Sequence, residues 1–275
     1  VTVAKVLLDA DLDWSPLLSK QTGIIGYGSQ GRAQALNLRD SGFSPLIGIR
    51  RGKSFDRAAA DGFKVLPVEE VARACDVVML LTPDETHRDV CTTSIFPHSR
   101  PGVFIGFATG FGVHFGLVRP PEEVRCFLAA PKGPGHVLRR RFETGGGIPA
   151  LVASSGEDRD ALLVARAYAK AIGCGRAGVI ETSFREEAVA DLFGEQCVLS
   201  GGMIELMRAA FEVLVKRGFT PEVAYIECVS EVEYMASLIS RVGLAELGNH
   251  ISSTAFYGGR TRGSRIVDDR TKAAL

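Results

Sequence analysis

The feature that most constrains this chain is the run Gly26-Tyr27-Gly28-Ser29-Gln30-Gly31, a G-x-G-x-x-G pattern. The bare pattern also occurs in ordinary glycine turns, so its context decides. Here it follows a short apolar strand, Thr22 to Gly26, and opens a helix over Arg32 to Arg39, closed by Ser41-Gly42. That strand–turn–helix setting is the one in which such glycines bind a dinucleotide. The first allows a tight turn, the second lets backbone approach a pyrophosphate, and the third lets helix pack on strand. Free N–H groups at the helix start then face the phosphates. Gly26, Tyr27, Gly28, Ser29, Gln30 and Gly31 are therefore the candidate cofactor-binding turn.

The end of the next strand, Pro45 to Ile49, separates the two nicotinamide cofactors. An NAD site carries an acid there for the ribose hydroxyls. This chain has Arg50-Arg51-Gly52-Lys53-Ser54, with no acid, and Asp40 precedes the strand. Cations and a hydroxyl at this place suit a 2′-phosphate through charge-assisted bonds. The expected cofactor is NADPH, its 2′-phosphate met by the cluster Arg50, Arg51, Lys53 and Ser54; the alternative is a solvated basic turn.

Strand and helix signals alternate through the first half. Helices are expected at 54–61, 68–75 and 158–172, and strands at 76–81, 103–107, 124–130 and 151–154, with a short extended piece at 63–66. Apolar runs such as Asp76–Leu81 fit parallel strands buried on both faces. The expected fold class is α/β: a doubly wound, Rossmann-like parallel sheet over residues 1–182. From Glu186 on, strand signals vanish. Ala188 to Lys216 is helical with a break at Gly201-Gly202, and a further helix starts at Thr220-Pro221 and stops at Gly243. An all-helical second domain is expected over 183–275.

Charge excludes several partners. Lys+Arg and Asp+Glu both number 32, so no global field favours nucleic acid or anionic membrane. No apolar run is long enough to span a bilayer. The first twenty residues carry Asp9, Asp11 and Asp13 and no apolar core, unlike a secretory or transit peptide. The six cysteines are scattered without C-x-x-C, so they read as buried small hydrophobes in a reducing compartment. A cytoplasmic enzyme is expected.

Two carboxylate pairs stand at helical spacing, Asp191 with Glu195 and Glu227 with Glu231. On a helix, residues four apart share a face, where like charges repel. Each pair interrupts an otherwise apolar stripe: Ala188, Asp191, Glu195, Val198 in one, Ala224, Glu227, Glu231, Met235, Leu238 in the other. Uncompensated burial would be very costly. The acids hold hard cations such as Mg²⁺ (two ions for four acids), or pair with Arg and Lys, or face solvent.

At these residues the chain resembles the short (class I) ketol-acid reductoisomerases. The glycine turn with its Ser-Gln is similar to that family's cofactor turn. Ala130-Pro131-Lys132-Gly133-Pro134-Gly135-His136 resembles its A-P-K-G-P-G-H segment. Ala177 to Thr182, Asp191-Leu192-Phe193-Gly194-Glu195-Gln196, the segment around Glu227-Cys228 and Glu231, and Ile251-Ser252 to Tyr257-Gly258 resemble its further signatures, in order along nearly the whole chain. The resemblance implies conversion of 2-acetolactate-type acids to 2,3-dihydroxy acids in branched-chain amino acid biosynthesis. An alkyl group migrates with two Mg²⁺ bound, and NADPH then reduces the new ketone. It implies metal ligation by Asp191, Glu195, Glu227 and Glu231, the last two across a homodimer or larger homo-oligomer interface. It gives catalytic roles to Lys132, Asp191, Glu195 and Glu231. Ser252 would hold the substrate carboxylate, or else simply cap a helix, and Lys132 would otherwise be a surface-loop lysine.

Two positions depart from the family pattern. Thr109, in Phe107-Ala108-Thr109-Gly110-Phe111, matches an active-site histidine; threonine hydrogen-bonds but does not titrate near neutral pH. Phe256 replaces an acid. Family members also continue past the region that ends here at Leu275, and Val1 stands where a Met start would be. Beside the full reductoisomerase, Thr109 keeps open a Mg²⁺- and NADPH-dependent 2-keto acid reductase with a weak or absent isomerase step. A non-catalytic NADPH-binding homologue is the third reading.

Overall fold

The structure, a computed structural model, describes residues 4–275. The chain forms two compact units, divided between Ala190 and Asp191. The first is built on a nine-stranded sheet: β1 (Val6–Leu7), β2 (Thr22–Ile25), β3 (Leu46–Gly48), β4 (Val65–Leu66), β5 (Val77–Leu80), β6 (Phe104–Phe107), β7 (Arg125–Pro131), β8 (Ala150–Ser154) and β9 (Val179–Glu181). Their spatial order is β1-β9-β8-β7-β6-β5-β2-β3-β4.

From β4 to β7 every pairing is parallel, with Ile24 opposite Ile47 on one side and Met79 on the other. Neighbouring residues of one strand serve opposite cores. Ile24, Val77, Met79, Phe127 and Ala129 join the core under helices Ser29–Asp40 and Arg159–Ala171. Ile25, Val78, Leu80, Leu128 and Ala130 join the one under helix Val68–Ala74 and the segment Cys91–Ile95. A strand that buries both faces has no polar side to alternate with, which is why 76–81 reads as an unbroken apolar run. Chain order reverses at β2, between β3 and β5, and ligands bind at the carboxyl ends of strands at such a point.

The sheet is not wholly parallel, as expected from the strand–helix alternation. β8 runs antiparallel to β7, with Pro131 opposite Ala150, and β1 antiparallel to β9. After β7 the chain passes through helix Gly135–Glu143 and returns to the same end of the sheet, where Lys132 N–H donates to the Pro149 carbonyl at 2.8 Å, so β8 starts beside the end of β7.

The second unit, Asp191–Leu275, contains helices and no strand. Helix Met203–Lys216 follows Gly201-Gly202 without interruption of the helical path, so the expected break there is instead a π-helical segment, Gly194–Gly202. Helix Val232–Glu246 does break at Gly243, at φ 75° and ψ 167°. Among residues 191–275 only Ala224 is buried, and large apolar side chains such as Tyr234 and Leu244 are exposed.

Candidate active site

β2 ends at Ile25, and the chain turns at Gly26 with φ +99°. A Cβ there would lie 2.6 Å from the Leu81 carbonyl oxygen, so both conformation and space require glycine. Gly31 brings the helix onto the strand: its Cβ would lie 2.3 Å from the Gly26 carbonyl oxygen. Gly28 differs. A Cβ there would meet no protein atom within 4 Å, and Gly28 lines a cleft of about 1110 Å³. The Gly28–Ser29 start of the helix thus borders space where backbone can meet a phosphate.

Two side chains of this turn, Tyr27 and Gln30, are engaged by the protein itself. Tyr27 is buried edge-on to Phe63 and its hydroxyl donates to Asp61 Oδ2 at 2.8 Å. Arg32 grips the same carboxylate through Nε and Nη2 at 2.7 and 3.0 Å. Chiefly through that guanidinium, helped by Tyr27, the Asp61 carboxyl falls to about 2, while burial drives the Tyr27 phenol up. Gln30 Nε2 donates to the Gly133 carbonyl at 2.8 Å and its Oε1 accepts from Gln34 at 3.0 Å. The cofactor turn is thereby tied to the loop that carries Lys132. Gly135 continues the contact, since its Cβ would lie 2.2 Å from the Ser29 carbonyl oxygen.

Arg50, Arg51 and Ser54 line the same cleft, Ser54 in the first turn of helix Lys53–Ala60. Arg51 lies over the Phe55 ring at 5.6 Å.

Lys132 is paired. Its Nζ donates to Glu187 Oε1 at 2.6 Å, and the Glu187 side chain is 0% exposed. The other oxygen, Oε2, accepts the Gly110 N–H at 2.5 Å. The neighbouring Thr109 hydroxyl accepts the Phe111 N–H at 3.2 Å, closing a local turn. Glu187 is not among the expected site residues, although its place four residues before Asp191 makes Glu187, Asp191 and Glu195 a four-residue series. His87 is also buried, with Nε2 2.9 Å from the Thr82 carbonyl.

The other carboxylates lie in the helical unit. Both pairs meet π-helical turns: Glu195 is in Gly194–Gly202, Glu227 is in Ile226–Ser230, and Glu231 follows directly. Expected spacing on a regular α-helix is therefore replaced by a wider turn, a feature frequent at functional sites. Among the described residues no three His, Cys, Asp or Glu side chains come together as one metal group; Asp191 and Glu195 are not gathered with Glu227 and Glu231 within one chain. The donors are all carboxylate oxygens, the chemistry that suits Mg²⁺. The Ser252 hydroxyl accepts the Ala255 N–H at 3.1 Å and caps helix Ser253–Ile266, and Phe256 is 41% exposed.

Known proteins match both units. Residues 16–178 match the family described as acetohydroxy acid isomeroreductase, NADPH-binding domain, and 184–275 match ketol-acid reductoisomerase, C-terminal domain. An NADH-preferring ketol-acid reductoisomerase from an uncultured archean is 40% identical, with TM-score 0.94, over 98% of this chain and 84% of that one. A semialdehyde dehydrogenase NAD-binding protein from Cupriavidus necator shares the fold at 19% identity and TM-score 0.72, over 92% and 93% of the two chains. A pyrroline-5-carboxylate reductase from Coxiella burnetii does so at 19% and 0.57, over 86% of each chain.

Proposed function

The chain belongs to the ketol-acid reductoisomerase family, and from that premise we propose that it is an NADPH- and Mg²⁺-dependent enzyme turning 2-acetolactate-type acids into 2,3-dihydroxy acids. One observation carries the reading. The Gln30-to-Gly133 hydrogen bond joins the phosphate-binding turn to the Lys132 loop, so the hydride source and a fixed positive charge are held by one piece of structure.

The cleft fits a dinucleotide at the open Gly28, and Arg50, Arg51 and Ser54 favour the 2′-phosphorylated form. Preference for NADPH sets this chain apart from the NADH-preferring relative. Bound there, NADPH supplies a hydride, and two Mg²⁺ on Asp191, Glu195, Glu227 and Glu231 supply Lewis acidity to the substrate oxygens. Lys132, oriented by Glu187, sets a positive charge where oxygen becomes anionic. Ser252, beyond its capping bond, is assigned to the substrate carboxylate. Residues 1–182 bind cofactor and 183–275 bind metal and substrate.

A homodimer or larger homo-oligomer completes the site. The exposed apolar side chains of Asp191–Leu275 support this. The unpaired cysteines suit a cytoplasmic setting, and no described helix is long and apolar enough to cross a membrane.

The test supplies Mg²⁺ and NADPH with 2-acetolactate, and in parallel with its isomerised 3-hydroxy-2-keto acid. Turnover of both is expected; turnover of neither refutes the proposal. A second reading is favoured by Thr109, whose hydroxyl is engaged in a local turn and supplies no imidazole. It is a reductase that turns over only the isomerised acid, and Thr109→His would then restore turnover of 2-acetolactate.

A further inference from the structure

Beyond the basic loop, the cleft wall is made by Val65, Val68 and Val90, with a fixed carboxylate among them. Glu69 lies in the first turn of helix Val68–Ala74 and lines the cleft. Ser94, on the segment Cys91–Ile95, donates its hydroxyl to Glu69 Oε1 at 2.6 Å. That bond fixes the carboxylate and, as the largest influence on it, lowers its pKa. An ionised carboxylate has about four acceptor sites, so capacity remains after Ser94 is served.

A negative charge is a poor neighbour for phosphates, so Glu69 belongs with another part of the ligand. In a dinucleotide the adenine is joined to the ribose whose 2′ position meets residues 50–54. The same cleft that residues 50–54 line offers apolar side chains against which a flat ring can lie, with the Glu69 acceptor among them. We infer that Glu69, held by Ser94, accepts a hydrogen bond from the adenine 6-amino group and makes the cleft select adenine over a 6-oxopurine. This rests on the dinucleotide reading of the cleft given above.

The measurement is the dissociation constant of the full chain for NADPH and for its hypoxanthine analogue, repeated with NADH and deamino-NADH. The wild type is expected to bind the 6-amino form about tenfold more tightly or better, the scale of a hydrogen bond to a charged acceptor. Glu69→Gln, whose carboxamide can donate to a 6-oxo group, is expected to bring the two within about threefold. Ser94→Ala falls between. Asp89→Asn, an exposed acid on the same wall, keeps the wild-type ratio. Equal wild-type binding of both bases, or an unchanged ratio in Glu69→Gln, overturns the inference and leaves the dinucleotide reading intact. Failure of all four dinucleotides to bind overturns both.

Discussion

Lys132 and Glu187, 55 residues apart in sequence, form an ion pair of 2.6 Å in which the carboxylate is wholly enclosed. The Gly110 N–H takes up the second carboxylate oxygen, so Glu187 links the Lys132 loop to the segment that carries Thr109. An enclosed charge without its partner is costly, which gives this pair a stability signature separate from catalysis. Lys132→Met should destabilise the fold by about 1–3 kcal/mol, the cost of leaving a buried polar group unmatched. Lys132→Met with Glu187→Gln should recover part of that, because the carboxamide still accepts the Gly110 N–H and carries no charge. Urea unfolding of the two variants checks this; a double variant less stable than the single would refute it.

Cofactor choice should respond to one residue in the basic loop. Ser54→Asp sets a carboxylate where the 2′-phosphate is expected, and should raise the KM for NADPH about tenfold or more while leaving that for NADH within about threefold. Steady-state kinetics with both cofactors decides it. Equal effects on the two cofactors would show that the 2′ position is read elsewhere.

If Asp191 and Glu195 of one chain share a metal site with Glu227 and Glu231 of another, as proposed, variants of the two pairs should complement between chains. Asp191→Asn and Glu227→Gln homodimers are each expected to be inactive. Subunits exchanged at random give half heterodimers, each with one intact site, so the mixture should reach about a quarter of wild-type activity. A mixture that stays inactive after verified exchange would place all four acids in one chain's site.

Asp61 gives a pH dependence with a defined sign. Its carboxyl, 3.8 when unperturbed, sits at about 2 in the fold because Arg32 and Tyr27 bond it. A depressed carboxyl stabilises the fold above its unfolded value and loses that contribution as pH falls through the folded value. The stability deficit of Asp61→Asn should therefore be complete above about pH 4 and shrink towards zero near pH 2. Urea midpoints from pH 2 to pH 7 test it; a deficit that does not vary with pH would count against the pairing.

Much of the cofactor half is legible from residues alone. Gly26 must be glycine because its φ is positive, and the apolar run 76–81 must be a strand covered on both faces, since both properties belong to a few consecutive residues. The site is less legible. Tyr27 and Gln30 sit in the expected cofactor turn, yet their side chains serve Asp61 and Gly133, partners 34 and 103 residues away. The Asp191–Glu195 and Glu227–Glu231 spacings read as ordinary helix faces, whereas π turns widen both.

The glycine turn, the basic loop, the two-faced strands and the change to helices in the second half are all set locally, because sterics and apolar periodicity act over short stretches. The antiparallel course of β8 beside β7, the Gln30 bond to the Lys132 loop and the enclosure of Glu187 as the partner of Lys132 arise only when the chain folds. Those depend on which groups distant in sequence meet where water is excluded. There an unmatched charge is too costly to leave, and nothing near Glu187 in the sequence states what matches it.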